Sequence, residues 1–166
     1  MQLGHLKMKY GKKRVRPTIA SSFFSACGLT STSKLQTLSI EGIILTSVPR
    51  LFESLGEMRL TEVRLEEISE LDQQESEGLP LVWDLAPLAC LQTLQKLRIV
   101  QGENCRISSL DVVLQSCTQL SMLDLNCTNM LEPLRAGSAS VKCIKLGSKP
   151  LYEYAEQISM SLFPCL

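Results

Sequence analysis

Apolar residues return along this chain in the order L-x-x-L-x-L, most clearly at Leu120, Leu123 and Leu125 within the stretch LQSCTQLSMLDLNCTNM at 114–130. In a strand successive side chains point to opposite faces. Leu123 and Leu125 therefore share one face, and Met122, Asp124 and Asn126 share the other. A Cys/Asn-rich turn at 126–129 follows, then the apolar Met130. The same spacing recurs at Leu35-Leu38-Ile40 (closing at Leu45), Leu60-Val63-Leu65, Leu94-Leu97-Ile99 and Val141-Ile144-Leu146 (closing at Leu151), with a weaker copy at Leu3-Leu6-Met8. First positions at 3, 35, 60, 94, 120 and 141 leave intervals of 32, 25, 34, 26 and 21 residues. One such unit cannot bury its own apolar face, so a series of them predicts units that stack on one another.

The segments between these strands carry other signals. After Pro17, Ile19, Phe23, Ala26 and Cys27 fall at helical spacing and Gly28 is a stop signal, which predicts a first return helix. Val48–Met58 places Val48, Leu51, Phe52 and Leu55 on one side. Leu81–Gln92 turns Leu85, Leu88 and Leu91 inward, has Trp83 near its start as a packing residue, and is limited by Pro87. Ile107–Cys117 reads as a helix because Leu110, Val113, Leu114 and Cys117 make one face. After strand 5 the return is short, with Pro133 and Gly137 opposing a full helix; Tyr152–Leu162 is expected to be helical, burying Ala155, Ile158 and Leu162. The polar stretch DQQESEG at 72–78 predicts an exposed acidic insertion, 72–80, which accounts for the 34-residue interval.

This pattern resembles the leucine-rich-repeat superfamily, whose units run about 20–29 residues as L-x-x-L-x-L-x-x-N/C-x-L. The resemblance covers essentially the whole chain, read as one domain, 1–166, of about six degenerate repeats. Three intervals fit and two need insertions. The ninth position departs from the family: it is Ile43, Ile68, Gly102, Thr128 and Lys149, and Cys127 sits one place early. In the family that polar residue satisfies turn backbone groups, so the turns here are expected to be irregular. The resemblance implies an α/β solenoid with a curved parallel sheet inside and helices or irregular segments on the convex side. The Cys-rich VLQSCTQLSMLDLNC stretch is similar to the intracellular branch: ribonuclease-inhibitor-like proteins, NOD-like receptors, PRAME-type proteins and substrate receptors of cullin ubiquitin ligases. Neither an elongin-type box nor an F-box-like helix precedes the first repeat, so recruitment to a ligase would need sequence that this chain lacks. Solenoids generally need polar capping units, whereas this chain closes on Leu162-Phe163-Pro164-Cys165-Leu166. It therefore reads as a piece of a longer solenoid or a short isoform.

Composition narrows the function. Lys+Arg and Asp+Glu are both 17, so net charge directs the chain neither to nucleic acid nor to a membrane surface. Hydrophobic residues make up 45% and aromatic residues 5%, which suits a core of Leu, Ile and Val layers. The seven Cys form no C-x-x-C pair and follow no signal peptide, so they read as reduced core thiols of an intracellular, cytoplasmic protein. Asn126-Cys127-Thr128 matches a glycosylation sequon but carries no meaning in a reducing compartment. No apolar run reaches the length of a membrane span. Lys12-Lys13-Arg14, in the basic segment 7–16, has two readings: a nuclear-localisation patch or a solvated loop of a long first repeat, with the loop favoured.

Catalysis is hard to seat here. His5 is the one His, the Cys spacing fits no zinc site, and no nucleophile elbow, Walker-type loop or dinucleotide fingerprint is present. Glu66-Glu67 reads as a solvated acidic turn. No enzyme activity, cofactor, metal or small-molecule substrate is expected. The surface remains. The middle positions of the motif make a column of Lys7, Ser39, Arg64, Arg98, Asp124 and Lys145. The preceding positions add His5, Thr37, Glu62, Lys96, Met122 and Cys143, and the two positions after the last apolar residue add Glu41, Glu66, Glu67, Gln101 and Asn126. Six strands spaced about 4.8 Å apart give a strip about 24 Å across, wide enough for a peptide or protein edge. The expected partner is a protein, bound on the concave face by Lys7, Thr37, Ser39, Glu62, Arg64, Glu66, Lys96, Arg98, Met122, Asp124, Asn126 and Lys145. Mixed charge of this kind suits protein recognition. Two alternatives stay open: the substrate-receptor part of a ubiquitin ligase, and nucleic-acid binding through segment 7–16. Against the second, only Tyr10 is interleaved there for stacking.

Overall fold

The structure, a computed structural model, describes residues 4–10, 17–20, 23, 34–56, 58–71, 81–101, 105–126, 129–130, 135–147 and 160–165. Alternation of apolar and polar residues produces β1 (His5–Lys9), β3 (Thr37–Glu41), β5 (Glu62–Glu66), β8 (Lys96–Val100), β10 (Met122–Asn126) and β12 (Cys143–Leu146). They form one six-stranded, all-parallel sheet in the order β1-β3-β5-β8-β10-β12. Between them run β2 (Thr18–Ile19), β4 (Ile44–Leu45), β6 (Ser69–Glu70), β7 (Leu81–Asp84), β9 (Cys105–Ser108) and β11 (Asn129–Met130). These short strands build two further parallel sheets, β2-β4-β6 and β7-β9-β11. With α1 (Val48–Gly56) and α2 (Leu110–Ser116), the fold is α/β with few helices.

One face of the large sheet is core. Leu38, Ile40, Val63, Leu65, Leu97, Ile99, Leu123 and Leu125 are all buried, as are Leu35, Leu60, Leu94, Leu120 and Val141, which open each motif just before its strand. At the two edge strands Leu6, Met8 and Ile144 are half-buried against this core. Burying a side chain of this size stabilises by roughly 1.5–3 kcal/mol each, before the entropy of ordering is subtracted.

The strands are also stitched by a recurring hydrogen-bond pattern. One carbonyl ahead of each strand accepts two backbone N–H groups from the next: Gly4 from Gln36 and Thr37, Gln36 from Thr61 and Glu62, Thr61 from Gln95 and Lys96, Gln95 from Ser121 and Met122, and Ser121 from Lys142 and Cys143. Hydroxyls beside the first apolar position reinforce it. Thr61 and Ser121 donate to the Gln36 and Gln95 carbonyls at 3.1 Å. Thr93 donates to Leu60 O at 2.9 Å, and Ser140 to Leu120 O at 2.8 Å. Backbone groups that the sheet ladder leaves over are thereby satisfied, as buried polar groups require.

The α1 face matches the expected one: Val48, Leu51, Phe52 and Leu55 are buried. Its first turn is met by Glu70 from β6, whose Oε1 accepts from Val48 N–H at 3.0 Å. A carboxylate there satisfies an orphan donor and complements the helix dipole. The Leu81–Gln92 segment is not one helix. Leu81–Asp84 is a strand, and Pro87 lies in the first turn of a 3-10 helix, Ala86–Cys90, with Leu85, Leu88 and Leu91 buried around it. Trp83 is buried, edge-on to Phe52 with ring centroids 5.6 Å apart. The 3-10 turn packs against both α1 and α2, and at Gly56 a Cβ would come within 2.8 Å of Pro87 O, so the approach needs glycine.

Three expectations are corrected. Ile19 lies in β2 rather than on a return helix, because it pairs in register with Leu45 of β4. Ile107 lies in β9, paired with Trp83 of β7, and the helix starts only at Leu110, after Ser109 turns left-handed at φ 57°. Met160–Leu162 is a 3-10 turn against which Gly137 packs so closely that any Cβ would overlap Leu162 O. Ala26, Cys27, Gly28, Lys12-Lys13-Arg14, the insertion 72–80, Leu151 and residues 152–159 lie outside the described residues.

The ninth-position departure has a partial structural answer. Ile43 and Ile68 are buried apolar residues, and the Ile68 carbonyl instead accepts from Gln101 Nε2 at 2.9 Å, a side chain arriving from the next main-sheet strand's turn. Gln101 does there what a turn Asn would do.

Candidate interaction face

The second face of the large sheet is polar, and the strand register aligns it into rows. The first row runs His5, Thr37, Glu62, Lys96, Met122, Cys143, and the middle row Lys7, Ser39, Arg64, Arg98, Asp124, Lys145. Both match the columns expected from spacing. The third row is Lys9, Glu41, Glu66, Val100, Asn126. Glu67 and Gln101 lie one residue past it, where the strands end; Glu67 has a left-handed φ of 50°. Lys9 and Val100 were missed, although strict alternation from Lys7 and Arg98 leads to both.

Arg64 and Arg98 face each other directly in register on β5 and β8. Like charges so placed repel, and Glu66 resolves the conflict. Arg64 Nε–H donates to Glu66 Oε1, and Arg98 Nε lies 2.9 Å from the same oxygen, although its N–H is not aimed at it as a hydrogen bond. Asp124 Oδ2 takes up the other side of Arg98, 3.5 Å from Nη1. Asp124 is the one buried carboxylate among the described residues, at 9% exposure. The hydrogen bond to Glu66 holds the Arg64 guanidinium above its ordinary pKa, with burial opposing. The strip is thus braced at its centre by a network across β5, β8 and β10.

Toward the β1 edge, Lys9 Nζ lies 2.8 Å from Glu41 Oε1. That hydrogen bond is the main cause holding the Glu41 carboxyl below its ordinary value. Lys96 and Glu62 approach to 3.9 Å, both well exposed, a contact of little energetic weight. Lys7 and Lys145, at opposite edges of the middle row, are exposed and form no ion pair among the described residues.

Among the described residues no group of three His, Cys, Asp or Glu is placed to hold a metal ion, and no helix is long and apolar enough to cross a membrane. Comparison of the chain with protein-family models, with curated proteins and with solved structures found no match in any of the three.

Proposed function

We propose that this chain is a non-catalytic protein-recognition module, a leucine-rich-repeat solenoid that binds a protein partner across the polar face of its six-stranded sheet. The observation that carries the reading is the register: three rows of side chains aligned across parallel strands, with the central arginines fixed by Glu66 and Asp124. A pre-braced polar strip loses less side-chain entropy on binding than a free one. Its mixed charges favour one partner over others and speed encounter. The repeat identity is supported by the L-x-x-L-x-L series and by the carbonyl ladder that recurs at each strand.

The test is site-specific photo-crosslinking in cells expressing the full chain. A benzophenone side chain placed at Ser39 or Met122 should give protein adducts of defined mass. The same group at Val82 or Val112, exposed on other surfaces, should give none of these. Adducts of the same mass from all four positions, or from Val82 and Val112 alone, overturn the reading.

A further inference from the structure

All four carboxylates of the three rows, Glu41, Glu62, Glu66 and Asp124, already face a cation of the same face. The face also holds Lys7, Lys9, Arg64, Lys96, Arg98 and Lys145, six cations against those four anions. The chain as a whole carries 17 of each sign. The surplus is therefore local, and it falls at the two ends of the middle row, on Lys7 and Lys145. From Lys7 to Lys145 the row crosses six strands, about 24 Å, which an extended peptide spans in about seven residues. Between these ends Ser39 is neutral, and the arginines are occupied by Glu66 and Asp124. Beside Lys145 the half-buried Met122 and Cys143 offer a soft apolar footing.

We propose that the occupant of this face is an acidic, extended segment of a partner protein, lying across the strands with carboxylates over Lys7 at one end and Lys145 at the other. This rests on the reading of the face as a protein-recognition surface and adds the chemistry of what it recognises. A second copy of the chain seated edge to edge fits less well, since each open edge of the middle row presents a lysine to the other. A basic partner would meet the surplus charge with like charge.

Fluorescence anisotropy on the full chain tests this with three labelled probes. One is a peptide of about ten residues with two Glu at each end and an uncharged middle. The second carries Lys in place of each Glu, and the third is a ten-nucleotide oligothymidylate. The acidic peptide should bind, weaken as salt rises, and lose about fivefold in affinity with Lys7→Glu or Lys145→Glu. These two exposed side chains carry no ion pair among the described residues, so the variants should keep the native circular dichroism and urea midpoint. Tighter binding of the Lys peptide or of the oligothymidylate overturns the proposal. So does acidic-peptide binding that ignores both reversals and is lost instead on replacing Lys12, Lys13 and Arg14 by Ala. Should no probe bind while Ser39 and Met122 still crosslink, the acidic preference fails and the recognition face stands. Should the crosslinks fail as well, both fall.

Discussion

Cys117 shows how far a single side chain here is set by its surroundings. It is fully buried behind α2, its Sγ–H reaching Leu88 O at 3.6 Å. Burial, with a smaller contribution from nearby Cys90, pushes the thiol from 9.0 up to about 11. The thiolate is the reactive form, so Cys117 should resist iodoacetamide in the native chain, as should the buried Cys105, while the exposed Cys90 and Cys165 react. Mass spectrometry of the peptides reads this directly; native labelling of Cys117 would contradict the packing. The same shift has a sign for stability. A folded-state value above the unfolded one favours the native state fully below pH 9.0, and that contribution is lost as pH rises through about 11. Urea midpoints between those limits should therefore fall less steeply in Cys117→Ala than in the parent chain. Trp83 is the opposite case. Its Nε1–H is buried with no hydrogen-bond partner among the described residues, and an unmet donor costs roughly 1–3 kcal/mol. The edge-on contact with Phe52 and the burial of a large ring offset that cost.

At the scale of elements, the hydroxyl braces separate a structural Thr from a merely solvated one. Thr93 sits one residue before Leu94, and its Oγ1 donates to Leu60 O across 33 positions of sequence. Thr93→Val keeps the shape and removes the donor, so it should lower stability by about 0.5–1.5 kcal/mol in urea unfolding. An unchanged midpoint would mean that water replaces the bond at no cost. These braces also show what could be read in advance. The five-residue inner strands of the large sheet were legible because each contains two buried positions at strict alternation, such as Leu97 and Ile99. The strands of the two smaller sheets were not, because two to four residues outside the repeated motif hold too few alternations to define a period. Ile107 illustrates the ambiguity. It stands two residues from Cys105, as a strand requires, and three and seven from Leu110 and Leu114, as a helix requires. Tertiary pairing with Trp83 decided it. The role of Glu70 could likewise not be read in advance, since its partner, the first turn of α1, lies 22 residues earlier in the chain.

For the whole molecule, the alignment of strands converts scattered residues into a surface. Two full rows of the polar face followed from the motif spacing alone. In the third, Lys9 and Val100 were missed, and Glu67 and Gln101 were added from one residue beyond, where the chain leaves the strand and alternation no longer holds. Arg64 with Glu66 is a neighbour two residues along one strand, but the occupation of the other cations was not legible, because it depends on partners 26 or more residues apart, such as Arg98 with Asp124 and Glu66 with Arg98. Recognition through that face can be followed by amide hydrogen exchange. Exchange would be followed by mass spectrometry on the chain alone and with the partner identified by the Ser39 and Met122 crosslinks. New protection is expected within 37–41, 62–66, 96–100 and 122–126, with 81–90 and 105–116 unchanged. Protection confined to 81–90 and 105–116 would place the partner on another surface and contradict recognition through that face.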